Sequence, residues 1–274
     1  MLPLSAIKHV VFDMDGTIYS GQTLFPYTKQ AFELLDACGV SFTYLTNNSS
    51  LSAKDYARKI KKLGLPGKSE NIFTSSLATL FYLRTHYPKV RKIFLLGTDS
   101  LKEEFREAGY EIAEIDGMSP PDMVVVGFDL FLSYDRLCKT AWWVKQGIPY
   151  IATHPDKVCP TDMPTVLVDC GAVCDCLESA TGRKPDKVLG KPDPIMIEGI
   201  MEKHHLQKHE VIMVGDRLYT DVAMGLNTGI IAALVLSGEA TLGDLEKSGL
   251  KPQIVVDNIL QLAEKIHADK SEEK

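Results

Sequence analysis

The chain has 274 residues, of which 45% are hydrophobic and 24% are charged, which is enough for one large domain or two smaller ones. Its net charge of -6 and pI near 5.7 argue against a nucleic-acid partner, which usually needs a basic surface. The sequence contains no run of about 18 or more apolar residues, so no membrane span is predicted. The N-terminus lacks the basic region and cleavage site of a signal peptide, so we expect a cytoplasmic protein.

The six cysteines are too few for a disulfide scaffold in a chain of this length. Cys170, Cys174 and Cys176 lie close together in the sequence, but they lack the paired spacing and the fourth ligand of a zinc site. We therefore expect reduced thiols that hold no metal.

The first quarter of the chain alternates strands and helices. An apolar run at 8–15 predicts a strand, and 26–38 repeats apolar residues at helical spacing. Residues 40–48 are rich in β-branched and aromatic side chains and predict a second strand. A helix is expected at 51–65, with Ser52 as its cap. The order strand, helix, strand, helix predicts a parallel sheet covered on both faces.

The middle of the chain repeats this alternation as a second unit of similar type. Helices are predicted at 100–110 and 133–148. Strands are predicted at 91–98, 122–129 and 148–153.

The C-terminal part resumes the first pattern. An apolar strand is predicted at 210–216, a short helix closed by glycine at 221–229, and another strand at 230–238. Only the tail at 267–274 is expected to be frayed and solvated.

Polar side chains follow three of the predicted strands, at the carboxyl ends where doubly wound sheets form their ligand sites. Lys191 lies between a glycine and a proline, where the chain cannot be helical. Carboxylates, a lysine and a hydroxyl together suit a phosphate and a magnesium ion, because Mg²⁺ prefers hard oxygen ligands. The residues at the strand ends are Asp13, Thr46, Asn47, Asn48 and Asp216.

Asp13 and Asp15 lie one residue apart at the end of the first strand. Residues i and i+2 of a strand point the same way, and a turn starting at Gly16 lets the second acid reach over the first. A carboxylate and a phosphate anion repel by roughly 4 kcal/mol at about 4 Å and an effective dielectric of ~20. A magnesium ion and Lys191 would reverse the sign of that interaction.

The segments DMDGT, TNN, GKPDP and VGDRLYTD match, in order, the four motifs of the haloacid dehalogenase-like (HAD) phosphatases. The segments YLTNNSS, ATHPDKVCP and SATGRKPDKVLGKPDP resemble the NagD-like and p-nitrophenyl phosphatase-like subgroup. That resemblance implies an α/β fold: a Rossmann-like, doubly wound parallel-sheet core at 1–80 and 188–274, with an inserted α/β cap domain at 81–187.

The resemblance also implies a reaction. Asp13 would be the nucleophile that forms an aspartyl-phosphate, and Asp15 would protonate the leaving alcohol and then activate water. The side chains of Asp13 and Asp216, with the backbone carbonyl of Asp15, would ligate Mg²⁺.

The remaining motif residues would bind the substrate. Thr46 and the amide of Asn47, followed by Asn48, would hold the phosphoryl group, and Lys191 would neutralise it. Asp221 would support the metal shell or orient Lys191; it is also a candidate N-cap of the short helix at 221–229.

His154 and Cys159 are candidate specificity residues. They lie in the cap segment THPDKVCP, where relatives commonly have Asn at the position of His154. A cap loop that faces the active site would select the leaving group. Relatives of this subgroup often dimerise through the cap, which implies a homodimer here.

The sequence leaves two questions open. The substrate is a small phosphorylated metabolite, with sugar phosphates, nucleoside monophosphates, phosphoglycolate and pyridoxal phosphate all possible. A non-catalytic binding or regulatory protein on the same scaffold is the alternative to an enzyme. The intact motif residues count against that alternative.

Overall fold

The computed structural model describes residues 4–161 and 163–272. The strands are, in chain order, β1 (His9–Asp13), β2 (Tyr19–Ser20), β3 (Thr23–Leu24), β4 (Ser41–Thr46), β5 (Ile72–Thr74), β6 (Lys92–Leu96), β7 (Glu111–Ile112), β8 (Met123–Val126), β9 (Tyr150–Ala152), β10 (Val158–Cys159), β11 (Leu167–Val168), β12 (Lys187–Val188), β13 (Val211–Gly215), β14 (Ile231–Val235) and β15 (Ile254–Val256).

The α-helices are α1 (Thr28–Ala37), α2 (Ala53–Lys62), α3 (Ser75–His86), α4 (Asp99–Glu107), α5 (Tyr134–Lys145), α6 (Cys170–Thr181), α7 (Ile195–His204), α8 (Ala223–Thr228), α9 (Leu242–Ser248) and α10 (Ile259–Glu272). A π-helical turn at Leu218–Val222 precedes α8. Within the described ranges, none of these helices combines the length and the apolar content that crossing a bilayer requires.

The chain divides into two compact units. The first comprises Met1–Leu45, Ala57–Phe73 and Lys191–Lys274. The second comprises Thr46–Tyr56 and Thr74–Gly190. The first unit is therefore assembled from both ends of the sequence, and most of the second is a single insertion.

The first unit is built on a six-stranded sheet in the order β15-β14-β13-β1-β4-β5. β1 lies between β13 and β4 and runs parallel to both. All five residues of β1, of β13 and of β14 are buried. Strands buried on both faces are typical of a parallel sheet covered by helices on its two sides. The predicted α/β fold with a parallel-sheet core is confirmed.

The register of the sheet brings the ends of the central strands to one edge. Asp13, the last residue of β1, pairs with Leu45, and Thr46 ends β4 one residue later. On the other side of β1, β13 ends at Gly215, and Asp216 follows it. Parallel strands end at the same edge, so this edge is where a ligand site is expected.

The prediction of a frayed tail at 267–274 is wrong as far as Glu272, because α10 continues to that residue. The backbone N–H of Leu4 donates to Asp269 Oδ2 at 2.9 Å, and Lys270 Nζ donates to the carbonyl oxygen of Ser5 at 2.8 Å. These contacts and a buried apolar face hold the helix. The last two residues of the predicted tail lie outside the described residues. The apolar face consists of Ile259, Leu262, Ala263 and Ile266.

The second unit has its own five-stranded sheet in the order β12-β9-β8-β6-β7, and its paired strands are parallel. One side of the sheet packs against α5 and α6 through a core that includes Phe94, Trp143, Tyr150 and Leu177. A short antiparallel pair, β10 and β11, precedes α6. The unit thus forms an α/β layer with a core of its own, as the sequence of its elements predicts.

Ser52 caps α2, as predicted. Its hydroxyl accepts the backbone N–H of Asp55 at 3.2 Å, and the Asp55 carboxylate accepts the backbone N–H of Ser52 at 3.1 Å. This reciprocal pair satisfies two of the donors that the start of a helix leaves without partners.

Candidate active site

Asp13 ends β1 as a buried carboxylate, only 7% exposed. Three residues later the chain reverses at Gly16, whose φ is +82° and whose N–H donates to the carbonyl of Tyr19 at 2.8 Å. A Cβ atom on Gly16 would lie 2.4 Å from Asp216 Oδ2. Glycine is therefore required here for the backbone conformation and for the close approach of Asp216. The turn after the DxD pair forms at the residue that the sequence indicates.

Asp216, 2% exposed, is oriented by three groups of the first unit. Its Oδ2 accepts the backbone N–H of Glu239 at 2.8 Å, and the Thr17 hydroxyl is 3.4 Å from its Oδ1. A Cβ atom on Gly238 would lie 2.1 Å from Asp216 Oδ2, so that position has no room for a side chain. The sequence analysis missed these groups. The available signals were the threonine that completes DMDGT and the glycine that ends the apolar run of β14.

Lys191 is 4% exposed and lies between two carboxylates. Its Nζ contacts Asp13 Oδ1 and is 2.8 Å from Asp221 Oδ1. Burial alone lowers the pKa of an ammonium, but the negative charges of Asp13 and Asp221 raise the pKa of Lys191 above its ordinary value. Lys191 therefore carries a positive charge next to the candidate nucleophile.

Asp221 is not the N-cap of α8; that prediction is wrong. It lies inside the π-helical turn, fully buried, and its Oδ2 accepts the backbone N–H of Arg217 at 3.1 Å. A Cβ atom on Gly215 would lie 2.3 Å from the carboxyl carbon of Asp221. The sequence predicted a helix start there, but the tight contact with β13 turns the side chain towards Lys191 instead.

The first unit concentrates negative charge at this edge. Asp13, Asp216 and Asp221 are all buried, and each offers a carboxylate oxygen within 4.8 Å of the others. Burial raises the pKa of Asp216, and the charge of Asp13 adds to this. Burial also raises the pKa of Asp221 to about 7; Lys191 opposes this shift, and Asp13 and Asp216 reinforce it. Three carboxylates facing one ammonium form a donor set of hard oxygens that fits a divalent cation such as Mg²⁺.

Asp15 lies after the end of β1, next to the same charges. Partial burial raises the pKa of its carboxyl group, a hydrogen bond from the Gly21 backbone opposes the shift, and the charge of Asp13 reinforces it. A carboxyl group with a raised pKa holds a proton more readily near neutral pH. Such a group is suited to general acid and base catalysis.

In the second unit, the loop after β4 contacts the segment around β10. Thr46 Oγ1 accepts the backbone N–H of Asn48 at 3.2 Å. Asn47 is buried, and its Nδ2 donates to both carboxylate oxygens of Asp156, at 3.3 and 3.2 Å. Asn48 Nδ2 is 3.6 Å from the sulfur of Cys159. The residues predicted to bind phosphate therefore touch the segment predicted to select the substrate, and Asp156 is a contact that the sequence analysis missed.

His154 lies in the interior of the second unit and is fully buried. Its Nε2 is 2.8 Å from Asp169 Oδ1, and its Nδ1 is 2.8 Å from the hydroxyl of Thr153. Burial lowers the pKa of His154, but Cys170 and then Asp169, through its hydrogen bond and its charge, raise it to about 9. This side chain forms an internal ion pair, whereas Cys159, the other candidate specificity residue, is partly exposed.

Comparison with known proteins identifies the family. The model of the family described as haloacid dehalogenase-like hydrolase matches residues 10–111, and a second, described as HAD-hydrolase-like, matches residues 188–262. The chain is 32% identical to an acid sugar phosphatase of Staphylococcus aureus (strain USA300) over 245 residues, which cover 89% of this chain and 92% of the relative.

Solved structures agree with this assignment. A 4-nitrophenylphosphatase from Thermotoga maritima is 41% identical with a TM-score of 0.89, covering 96% of this chain and 98% of that one. NagD from E. coli K-12 is 29% identical with a TM-score of 0.84, covering 93% of this chain and 98% of that one. The chain therefore belongs to the haloacid dehalogenase-like hydrolases, in the group of NagD and the p-nitrophenyl phosphatases.

Proposed function

We propose that the protein is a Mg²⁺-dependent phosphatase that hydrolyses small phosphomonoesters through an aspartyl-phosphate on Asp13. The observation that supports this most directly is the buried contact between Asp13 and Lys191 at the end of the central strand β1. An ammonium in that position offsets the repulsion between an attacking carboxylate and a phosphate anion. The activities in the names of relatives, acid sugar phosphatase and 4-nitrophenylphosphatase, support the same reaction class.

The reaction takes two steps. First, a carboxylate oxygen of Asp13 attacks phosphorus, the bond from phosphorus to the leaving oxygen breaks, and Asp15 donates its proton to the alcohol. Then Asp15 takes a proton from water, and the water oxygen attacks phosphorus. The bond between phosphorus and the Asp13 oxygen breaks, which releases inorganic phosphate and restores the Asp13 carboxylate. The raised pKa of Asp15 favours the protonated form that the first step needs.

The carboxylates of Asp13 and Asp216, with the backbone carbonyl of Asp15, would hold Mg²⁺. The bound ion would supply positive charge to the phosphoryl oxygens. Asp221 contributes by holding the ammonium of Lys191 beside Asp13, 2.8 Å from its own Oδ1. Thr17 and the N–H of Glu239 fix the direction in which Asp216 presents its oxygens.

We further propose that Thr46, the backbone amide of Asn47, and Asn48 bind the phosphoryl end of the substrate, and that residues 81–187 act as a cap that selects the leaving group. Cys159 is partly exposed beside Asn48 and is the better placed of the two candidate specificity residues. His154 would act on specificity only through its neighbours, because it is fully buried. A cytoplasmic location and the absence of a nucleic-acid or membrane partner stay predictions.

A homodimer formed through the cap is part of this proposal. The side chains of Tyr134 and Trp142 on α5 are 83% and 53% exposed, and Cys138 lies between them at helical spacing. Cys138 and Trp142, with Ile115 and Met118, line a surface cavity of about 630 Å³, whose other lining residues are the charged Asp116, Asp135 and Lys139. Exposed apolar surface rimmed by polar residues is typical of protein interfaces.

Hydrolysis of p-nitrophenyl phosphate and of a panel of phosphorylated metabolites, with and without Mg²⁺, tests the proposed function. We expect turnover that EDTA abolishes and added Mg²⁺ restores. The Asp13→Asn variant keeps the size of the side chain but lacks the nucleophilic carboxylate, so its rate should fall at least a thousandfold, which is about 4 kcal/mol of barrier. Metal-independent turnover, or an Asp13→Asn variant of wild-type activity, would contradict the mechanism. Binding of a metabolite without any turnover would favour the non-catalytic alternative.

A further inference from the structure

Asp156 fixes the side chain of Asn47 in one orientation. Asn47 Nδ2 donates to both oxygens of the Asp156 carboxylate. An ionised carboxylate only accepts hydrogen bonds, so the amide must turn its NH₂ group towards it. The other end of the amide is enclosed too, because a Cβ atom on Gly190 would lie 2.9 Å from Asn47 Oδ1. With Asn47 only 6% exposed, water does not readily replace either contact.

The backbone around Asp156 is itself held against the start of α6. The carbonyl oxygen of Asp156 accepts the N–H of Gly171 at 2.8 Å. A Cβ atom on Gly171 would lie 2.1 Å from the carbonyl oxygen of Pro155, so the two backbones meet with no room for a side chain. The loop that carries Asp156 is therefore packed closely against the start of α6.

A buried ion pair lies next to the Asp156 carboxylate. His154 Nε2 is 2.8 Å from Asp169 Oδ1. A carboxylate oxygen of Asp156 lies within 4.8 Å of a ring nitrogen of His154 and of a carboxylate oxygen of Asp169. The His154 ring thus lies near Asp156 as well as Asp169. Two hydrogen-bonded pairs, Asn47–Asp156 and His154–Asp169, therefore lie side by side next to the loop that follows β4.

We infer that Asp156 is a positioning residue for phosphate binding, which acts by fixing the Asn47 side chain and with it the backbone N–H of Asn47. The inference rests on the proposed function, in which that N–H holds the phosphoryl group. The carbonyl oxygen of Asn47 also accepts the Ser75 hydroxyl, which holds the peptide group on the C-terminal side of Asn47. Asp156 itself needs no contact with substrate.

A double-mutant cycle separates positioning from general support of the second unit. kcat and KM for p-nitrophenyl phosphate, and inhibition by inorganic phosphate, would be measured for Asp156→Ala, Asn47→Ala and the double variant. Losing the two hydrogen bonds should lower kcat/KM about tenfold in Asp156→Ala and weaken phosphate inhibition similarly. In the Asn47→Ala background the Asp156→Ala change should have no further effect, because the group it acts through is gone.

Two further variants serve as a partial rescue and as a control for the double-mutant cycle. Asp156→Asn keeps one acceptor oxygen and should recover part of the activity that Asp156→Ala loses. Asp175→Ala is the matched control, since Asp175 is an exposed acid on α6 whose contact is with Lys157, and its kcat/KM should match the wild type.

The inference is overturned if Asp156→Ala keeps wild-type kcat/KM and phosphate inhibition. It is also overturned if the fold-losses in kcat/KM of the two single variants multiply in the double variant. Calorimetric measurement of inorganic phosphate binding distinguishes failure of this inference from failure of the proposed function. A wild-type protein without turnover whose phosphate affinity still depends on Asp156 would refute the phosphatase proposal and support the positioning role. A wild-type protein with neither turnover nor phosphate binding would refute both.

Discussion

At the scale of single residues, the His154–Asp169 pair leads to a prediction of how the free energy of unfolding depends on pH. The pKa of His154 is about 9 in the folded protein and about 6.5 in an unfolded chain, so folding favours the imidazolium. Its contribution to stability, on the order of 3 kcal/mol, is fully present below about pH 6.5 and is lost as the pH rises through about 9. The free-energy difference of unfolding between wild type and His154→Gln should therefore shrink between these pH values in urea titrations.

The control for that experiment is His267→Gln, which changes an exposed histidine on α10. At each pH this variant measures the effect of replacing an exposed imidazole by an amide. A His154→Gln variant whose difference from the wild type does not change with pH would contradict a buried imidazolium.

Single residues also mark where sequence reasoning ends. Asp13, Asp221 and Lys191 are recognisable because each stands in a motif after a strand or tight turn, and the structure places the three in contact. Asp156 is 109 residues from Asn47 along the chain, and no local pattern links an Asp to a distant amide. Such a contact forms only when two distant segments of the second unit fold together, so spacing and periodicity do not reveal it.

At the scale of elements, the turn after β1 is set by two demands on Gly16. An L-residue pays about 1–2 kcal/mol for the left-handed conformation, and at Gly16 a Cβ atom would also meet Asp216 Oδ2 at 2.4 Å. Gly39 has a φ of +66° with nothing within 4 Å of a Cβ atom, so Gly39→Ala measures the strain alone. We expect Gly16→Ala to lose more unfolding free energy than Gly39→Ala. Equal losses in urea unfolding would show that Asp216 moves aside without cost.

Elements with strong periodic patterns were predictable, and short ones were not. β1 and β13 are apolar runs that lead to Asp13 and Asp216, and β4 is a run of β-branched and aromatic residues that ends at Thr46. The polar residue after each run identifies both the strand and its candidate functional end. Two-residue strands such as β2 and β12 have too few residues to show any period. α10 did carry a helical apolar pattern; its charged last turn resembles a tail, and only the contacts with Leu4 and Ser5 show why it stays helical.

At the scale of the whole molecule, the exposed apolar face of α5 predicts the oligomeric state. Light scattering coupled to gel filtration should give the mass of a dimer for the wild type. Trp142→Glu places a charge in that surface and should shift the protein towards a monomer, because an unpaired buried charge opposes association. Leu242→Glu alters an exposed apolar residue on α9 of the first unit and should leave the dimer intact. A monomeric wild type would contradict the proposed interface.

The arrangement of the whole chain was predictable from the order of its elements. Strands that resume near the C-terminus with the pattern of the N-terminus indicate a core assembled from both ends, and the first unit is built in this way. The segment Thr46–Tyr56 follows a core strand yet belongs to the second unit, and the domain boundaries at 80/81 and 187/188 stay a prediction. Local sequence does not record which unit a connecting segment packs with.

The buried carboxylates at the end of β1 serve the proposed activity but lower the stability of the fold. Without a divalent ion, the raised pKa of Asp216 means that its ionised form weakens the fold at neutral pH. Asp216→Asn should then melt a few degrees higher than the wild type in EDTA while losing turnover, and saturating Mg²⁺ should reverse the ranking. A lower melting temperature in EDTA would refute this trade-off. Under the proposed function, a cell short of magnesium would hold this protein in a form that is both inactive and easier to unfold.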